Sequence, residues 1–136
     1  MSPLLRNIIA VVAGIIIGSL VNMGIIMAGS TIIAPPEGVD ITTTEGLKDG
    51  LHLFKPINFL TPFLAHALGT LAGAFVTSKI AVKNIRLLAM LIGLFFLAGG
   101  FMMVLQIPSP LWFTVVDLLL AYLPMAWLGY KIAAKQ

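Results

Sequence analysis

Apolar residues come along this chain in four long runs, and each run is nearly uninterrupted on every face of a helix rather than on one stripe. A helix crosses the hydrocarbon of a bilayer in about 20 residues. The runs near Ile8–Ala28, Phe59–Thr77, Leu87–Leu105 and Leu111–Tyr130 reach that length to within a residue or two. The pattern predicts an all-α integral membrane protein, a single four-span domain over residues 1–136 folded as a four-transmembrane-helix bundle. The first run is too long for a signal-peptide core of roughly 7–15 residues, and MAGS at 27–30 is a poor cleavage site, so it is expected to stay as a span.

Small residues divide each run into a tight side and a greasy side. Ala10, Gly14, Gly18 and Asn22 recur every four residues in the first span. His66, Gly69, Thr70, Gly73, Ala74 and Thr77 share a face of the second, opposite Leu64, Leu68, Leu71 and Phe75. The third carries Ala89, Gly93 and Gly100. Small side chains let helix backbones approach in lipid, so these faces are expected to pack, Ser19 among them. The pairs Thr61-Pro62 and Ser109-Pro110 have the order of an N-cap followed by proline in the first turn.

The connection 29–57 is too long for a plain hairpin. APPEG at 34–38 is a turn, and TTTEGLKDGLHLFKP follows it. Thr42 and Glu45 have capping-box spacing. Leu47, Leu51 and Phe54 fall on one helical stripe and Glu45, Asp49 and His52 on another. This predicts a short amphipathic helix in the first extracytoplasmic loop, lying on the membrane surface or lidding a cavity. Glu45, Asp49 and His52 are the residue types that bind divalent metals, but a metal site needs converging ligands and supporting bonds. They are read as a solvated polar face.

Composition agrees with the spans. The chain is 60% hydrophobic and 10% charged, against roughly 25% charged residues in a soluble domain, so lipid must cover its surface. Cysteine is absent, which excludes disulfides, thiolate metal centres and a cysteine nucleophile. No motif calls for a cofactor. The net charge of +3 is explained by topology rather than by nucleic acid. Arg6 precedes the first span, Lys79, Lys83 and Arg86 join the second to the third, and Lys131 and Lys135 end the fourth, with no acidic residue in any of these segments. Basic loops stay in the cytoplasm, so both termini are expected there, in a bacterial-type inner membrane.

Asp117 is the one acidic residue within a span, and His66 is the one histidine. Counted from span midpoints near residues 18, 68, 96 and 120, Asn22, His66 and Asp117 all lie roughly 3–6 Å outward of the midplane, where Gly99-Gly100 leaves room. A carboxylate at bilayer centre costs about 2.5–3.5 kcal/mol. Asp117 escapes that cost by holding a proton or by pairing with protonated His66, and protonation of the two then becomes one coupled equilibrium. Asn22 is placed to donate to the carboxylate. Thr70 and Tyr122 lie within two turns, and Pro124 frees the carbonyl of Leu120.

Three functions fit. The first is a homo-oligomeric, proton-linked transporter or channel for a small solute, with His66–Asp117 as relay. The second is a non-catalytic membrane subunit or scaffold docking a larger membrane partner. The third is an intramembrane enzyme on a lipid-like substrate with His66 as general base, for which no span offers a convincing nucleophile. HExxH and phosphate-binding glycine loops are missing. The first is adopted as the working expectation.

Overall fold

Ser2 and Pro3 start the first helix. The Ser2 hydroxyl accepts a hydrogen bond from the Leu5 N–H at 3.2 Å, and Pro3 takes the first helical position, where its missing N–H is not needed. The computed structural model describes residues 1–135, all helix and connecting chain, with no strand among the described residues. Helix α1 spans Pro3–Ile32, α2 Thr44–Gly50, α3 Leu60–Ile80, α4 Ile85–Gln106, α5 Leu111–Leu120 and α6 Leu123–Ala134. Short 3₁₀ turns at Leu51–Leu53 and Pro56–Phe59 lie between α2 and α3. Four stretches, Pro3–Ile32, Pro56–Ile80, Ile85–Gln106 and Leu111–Ala134, are long and apolar enough to cross a membrane. Each outruns the hydropathic limits, because the hydrogen-bond ladder continues where polar side chains begin.

Helix α3 is the centre of the bundle, with α1 on one side and α4 and α6 on others. Helices α1 and α3 run antiparallel with their backbones almost touching. A Cβ placed on Gly14 would lie 2.7 Å from the Gly73 carbonyl and collide with the Thr77 hydroxyl, and one on Gly18 would lie 2.8 Å from the Gly69 carbonyl. Thr77 closes the seam by donating to the Ala10 carbonyl at 3.1 Å. Helix α4 caps this seam with Ile92 and Phe96, which face Gly14 and Gly18. Helix α6 lies on α3 through Gly129, whose missing side chain admits the Leu71 carbonyl. Leu71 and Phe75 are therefore half-covered by α6 rather than wholly given to lipid, while Leu64 and Leu68 are exposed. Ser19 turns away from the seam and is exposed, so it is not a packing residue.

Three further sequence expectations are corrected. Span four is two helices, broken at Ala121–Tyr122. Pro124 cannot donate to Leu120, and the Tyr122 N–H donates to no backbone carbonyl, so the ladder lapses over a turn. Neither hydroxyl–proline pair caps a helix. The 3₁₀ turn at Pro56–Phe59 leads straight into α3, leaving Thr61 inside its first turn against Gly29, and Pro110 itself is the N-cap of α5. In the loop, the N-cap of α2 is Thr43, which accepts from the Gly46 N–H, not Thr42. Thr42 instead bonds Asp40 through its N–H and its hydroxyl, which holds the Asp40 carboxyl below the usual range. Of the two placements expected for the loop helix, along the membrane surface or over a cavity, Leu47 and Phe54 fit the second. They close a 110 Å³ apolar cavity against α1 and α3, lined also by Ile26, Ile33 and Thr61. Helix α2 is thus a lid on the end of the bundle, which Phe59 seals further by stacking against Phe54, Trp112 and Phe113.

Candidate functional site

His66 sits midway along the loop-side half of α3, and Asp117 is one turn before the break in span four. They meet. His66 Nδ1 lies 2.9 and 3.0 Å from the two oxygens of Asp117. Asp117 is 4% exposed, whereas the His66 side chain is 29% exposed. The pair is therefore a buried carboxylate clamping one edge of a ring whose other edge is open.

A third residue completes the arrangement. The Tyr122 hydroxyl donates to Asp117 Oδ2 at 3.1 Å, and its ring stacks on His66 with centroids 5.7 Å apart. Residues five apart on a regular helix point about 140° away from each other, so Tyr122 could not reach Asp117 along an unbroken span. The break makes the contact. Tyr122 takes backbone angles of −117° and −80° between α5 and α6, which turns its side chain back toward Asp117. Gly100 of α4 gives the phenol its space, since a Cβ there would meet the hydroxyl, while Gly99 faces nothing within 4 Å.

Both oxygens of Asp117 lie within hydrogen-bond distance of Nδ1, so one proton along that edge joins the pair whichever partner carries it. Nε2 makes no hydrogen bond among the described residues, so it is the one ring nitrogen free to meet another group. No serine or threonine hydroxyl bonds it. Buried charge in hydrocarbon is tolerated when it is paired and hydrogen-bonded, and the Asp117 carboxylate has two donors.

Asn22 shares the depth of the pair but not its position. It packs beside Gly69, where a Cβ would lie 3.0 Å from its own, and bonds neither His66 nor Asp117. Thr70, one turn from His66, is 1% exposed, and its hydroxyl has no partner among the described residues. His66 and Asp117 line neither the cavity beneath α2 nor the clefts at Arg86–Tyr130 and Phe63–Val116. In the loop, Glu45, Asp49 and His52 are exposed, the last of them beyond the end of α2, and they form no metal-holding cluster among the described residues. Sequence reasoning undervalued Tyr122, for which Pro124 two residues later was the available signal.

No family model, no curated protein and no solved structure matches this chain.

Proposed function

We propose that this small membrane protein works as a homo-oligomer that moves a proton, with or without a small solute, through exchange at His66 and Asp117. One observation carries the reading: a hydrogen-bonded His66–Asp117 pair lies within two of the membrane-length stretches, with its carboxyl group buried and one imidazole nitrogen unbonded among the described residues. A pair kept only for packing has no use for an open nitrogen. Thr70 supports the reading, because an unpaired buried hydroxyl one turn away is a group that a water or ion in transit can use. A second copy is invoked because four short spans enclose little volume, and the cavities beneath α2, at Arg86–Tyr130 and at Phe63–Val116 all leave the pair outside their linings. The same reading places the basic end and both termini in the cytoplasm of a bacterial-type cell by the bias of basic loops.

The test is proton flux in liposomes loaded with a pH-sensitive dye, driven by an imposed potential. Wild type should acidify the lumen, and Asp117→Asn and His66→Ala should each slow this at least tenfold. Wild-type flux equal to that of empty liposomes would overturn the proposal. It would favour a non-catalytic subunit instead, a reading supported by the way His66, Asp117 and Tyr122 satisfy one another.

A further inference from the structure

At the end of the bundle opposite the loop, Asn7 ties α1 to the α3–α4 turn. Its amide donates to the Lys83 carbonyl at 3.0 Å, and its carbonyl oxygen accepts the Val82 N–H at 3.0 Å. The turn reverses at Asn84, whose φ of 52° is left-handed. This fixes the start of α4 beside α6 and leaves an open cleft of 640 Å³ between them. Arg86 and Tyr130 line it together with Val82, Ile85, Leu87 and Met90.

The polar side chains that line this cleft, those of Asn84, Arg86 and Tyr130, make no hydrogen bond among the described residues. Arg86 is exposed and enters no hydrogen bond or ion pair among the described residues. Of the basic residues at this end, Arg6 donates to the Ile80 carbonyl at 2.8 Å, Lys79 lies over the Phe75 ring and Lys131 over the Trp127 ring, while the Lys83 side chain in the same turn makes no hydrogen bond among the described residues and adds its charge to that of Arg86. The Tyr130 ring is anchored on the core cluster of Ala74, Ala89, Ile92 and Ala126, and its hydroxyl bonds nothing among the described residues. No aspartate or glutamate belongs to this end of the chain. All five acidic residues lie between Glu37 and Asp49 or at Asp117.

We propose that this cleft binds the phosphate of an anionic phospholipid, with the Arg86 guanidinium and the Tyr130 hydroxyl as donors and an acyl chain along Leu87 and Met90. A guanidinium presents paired N–H groups to phosphate oxygens, and basic clefts between membrane helices suit lipid headgroups. The apolar lining distinguishes a lipid from a free anion. Leu87 is 58% exposed and Val82 41%, a surface that an acyl chain covers and a soluble phosphate does not.

The experiment is thermal unfolding of the full chain in a neutral detergent, titrated with phosphatidylglycerol, phosphatidylcholine or inorganic phosphate. Phosphatidylglycerol should raise the melting temperature by about 5 °C more than phosphatidylcholine. Arg86→Gln should remove most of that difference and Tyr130→Phe part of it. Lys131→Gln, which leaves the cleft lining intact, should keep it. Native mass spectrometry should show phosphatidylglycerol retained by wild type and lost from Arg86→Gln. Equal shifts from the two lipids, an equal shift from inorganic phosphate, or an equal loss in Lys131→Gln would each overturn the proposal.

Discussion

The two sides of α3 hold their neighbours by opposite means. Toward α1, glycines stand at the closest approaches, and Gly14, Gly18, Gly69 and Gly73 bring backbone against backbone. Toward α5, a histidine reaches a carboxylate and a tyrosine at the one place where the fourth span is broken. The glycine seam is continuous and close-packed, with the Thr77 hydroxyl bonded across it to Ala10. The polar cluster is local, and it leaves a ring nitrogen and a neighbouring hydroxyl unused. Lipid gives helices little hydrophobic reason to associate, so close packing must carry the bundle, and the seam supplies most of it. The cluster is too sparing with its hydrogen bonds to be chiefly an adhesive.

The largest effect that follows from this contrast belongs to the seam. Gly14→Ala puts a methyl into the Thr77 hydroxyl and the Gly73 carbonyl, and backbone cannot step aside as a side-chain tip can. The expected loss is about 3 kcal/mol, the upper end for overpacking, measured by SDS-titration unfolding in bicelles. Gly24→Ala on the same helix meets nothing within 4 Å and should be neutral or gain up to about 1 kcal/mol from helix propensity. If Gly14→Ala costs no more than Gly24→Ala, the seam is not the main tie and the comparison collapses.

The seam was readable in the sequence because a four-residue spacing of small side chains says at once which face packs and how closely. Depth was readable too, since counting 1.5 Å per residue from the span midpoints puts His66 and Asp117 in one layer. Position around the bundle was not. Asn22 has the right depth, yet it borders Gly69 on the α1 side and never reaches the carboxylate. Tyr122 was obscured for a different reason. On a continuous helix it faces away from Asp117, and only the unbonded turn before Pro124 brings it round. In the loop, three consecutive threonines made the cap ambiguous by one residue, and Asp40 decided it by taking Thr42 for itself.

A smaller effect is expected from the charge. Asp117→Asn keeps the shape, retains an oxygen for His66 Nδ1 and removes an ion from hydrocarbon. Interhelical polar contacts in membranes average only about 0.6 kcal/mol, and replacing a buried ion relieves its desolvation. The variant should unfold within about 1 kcal/mol of wild type in the same bicelle assay, while losing the proton flux proposed above. A loss of 3 kcal/mol or more would make the cluster the stronger tie and reverse the comparison.

The finest distinction is a coupling between α4 and the cluster. Gly100→Ala directs a methyl at the Tyr122 hydroxyl, its nearest neighbour there, so the cost depends on that oxygen being present. Tyr122→Phe removes the oxygen together with one donor to Asp117. Each single variant should cost about 1 kcal/mol, the first by crowding and the second by a lost hydrogen bond. The double variant should cost less than their sum by at least about 0.5 kcal/mol, beyond the additivity expected of independent sites. Gly99→Ala, which faces open space, should add to Tyr122→Phe without coupling. Strict additivity of Gly100→Ala with Tyr122→Phe would mean that the phenol is not held against α4. The polar cluster would then be anchored by the break in span four alone, since the glycine of α4 would no longer be what keeps the tyrosine turned toward Asp117.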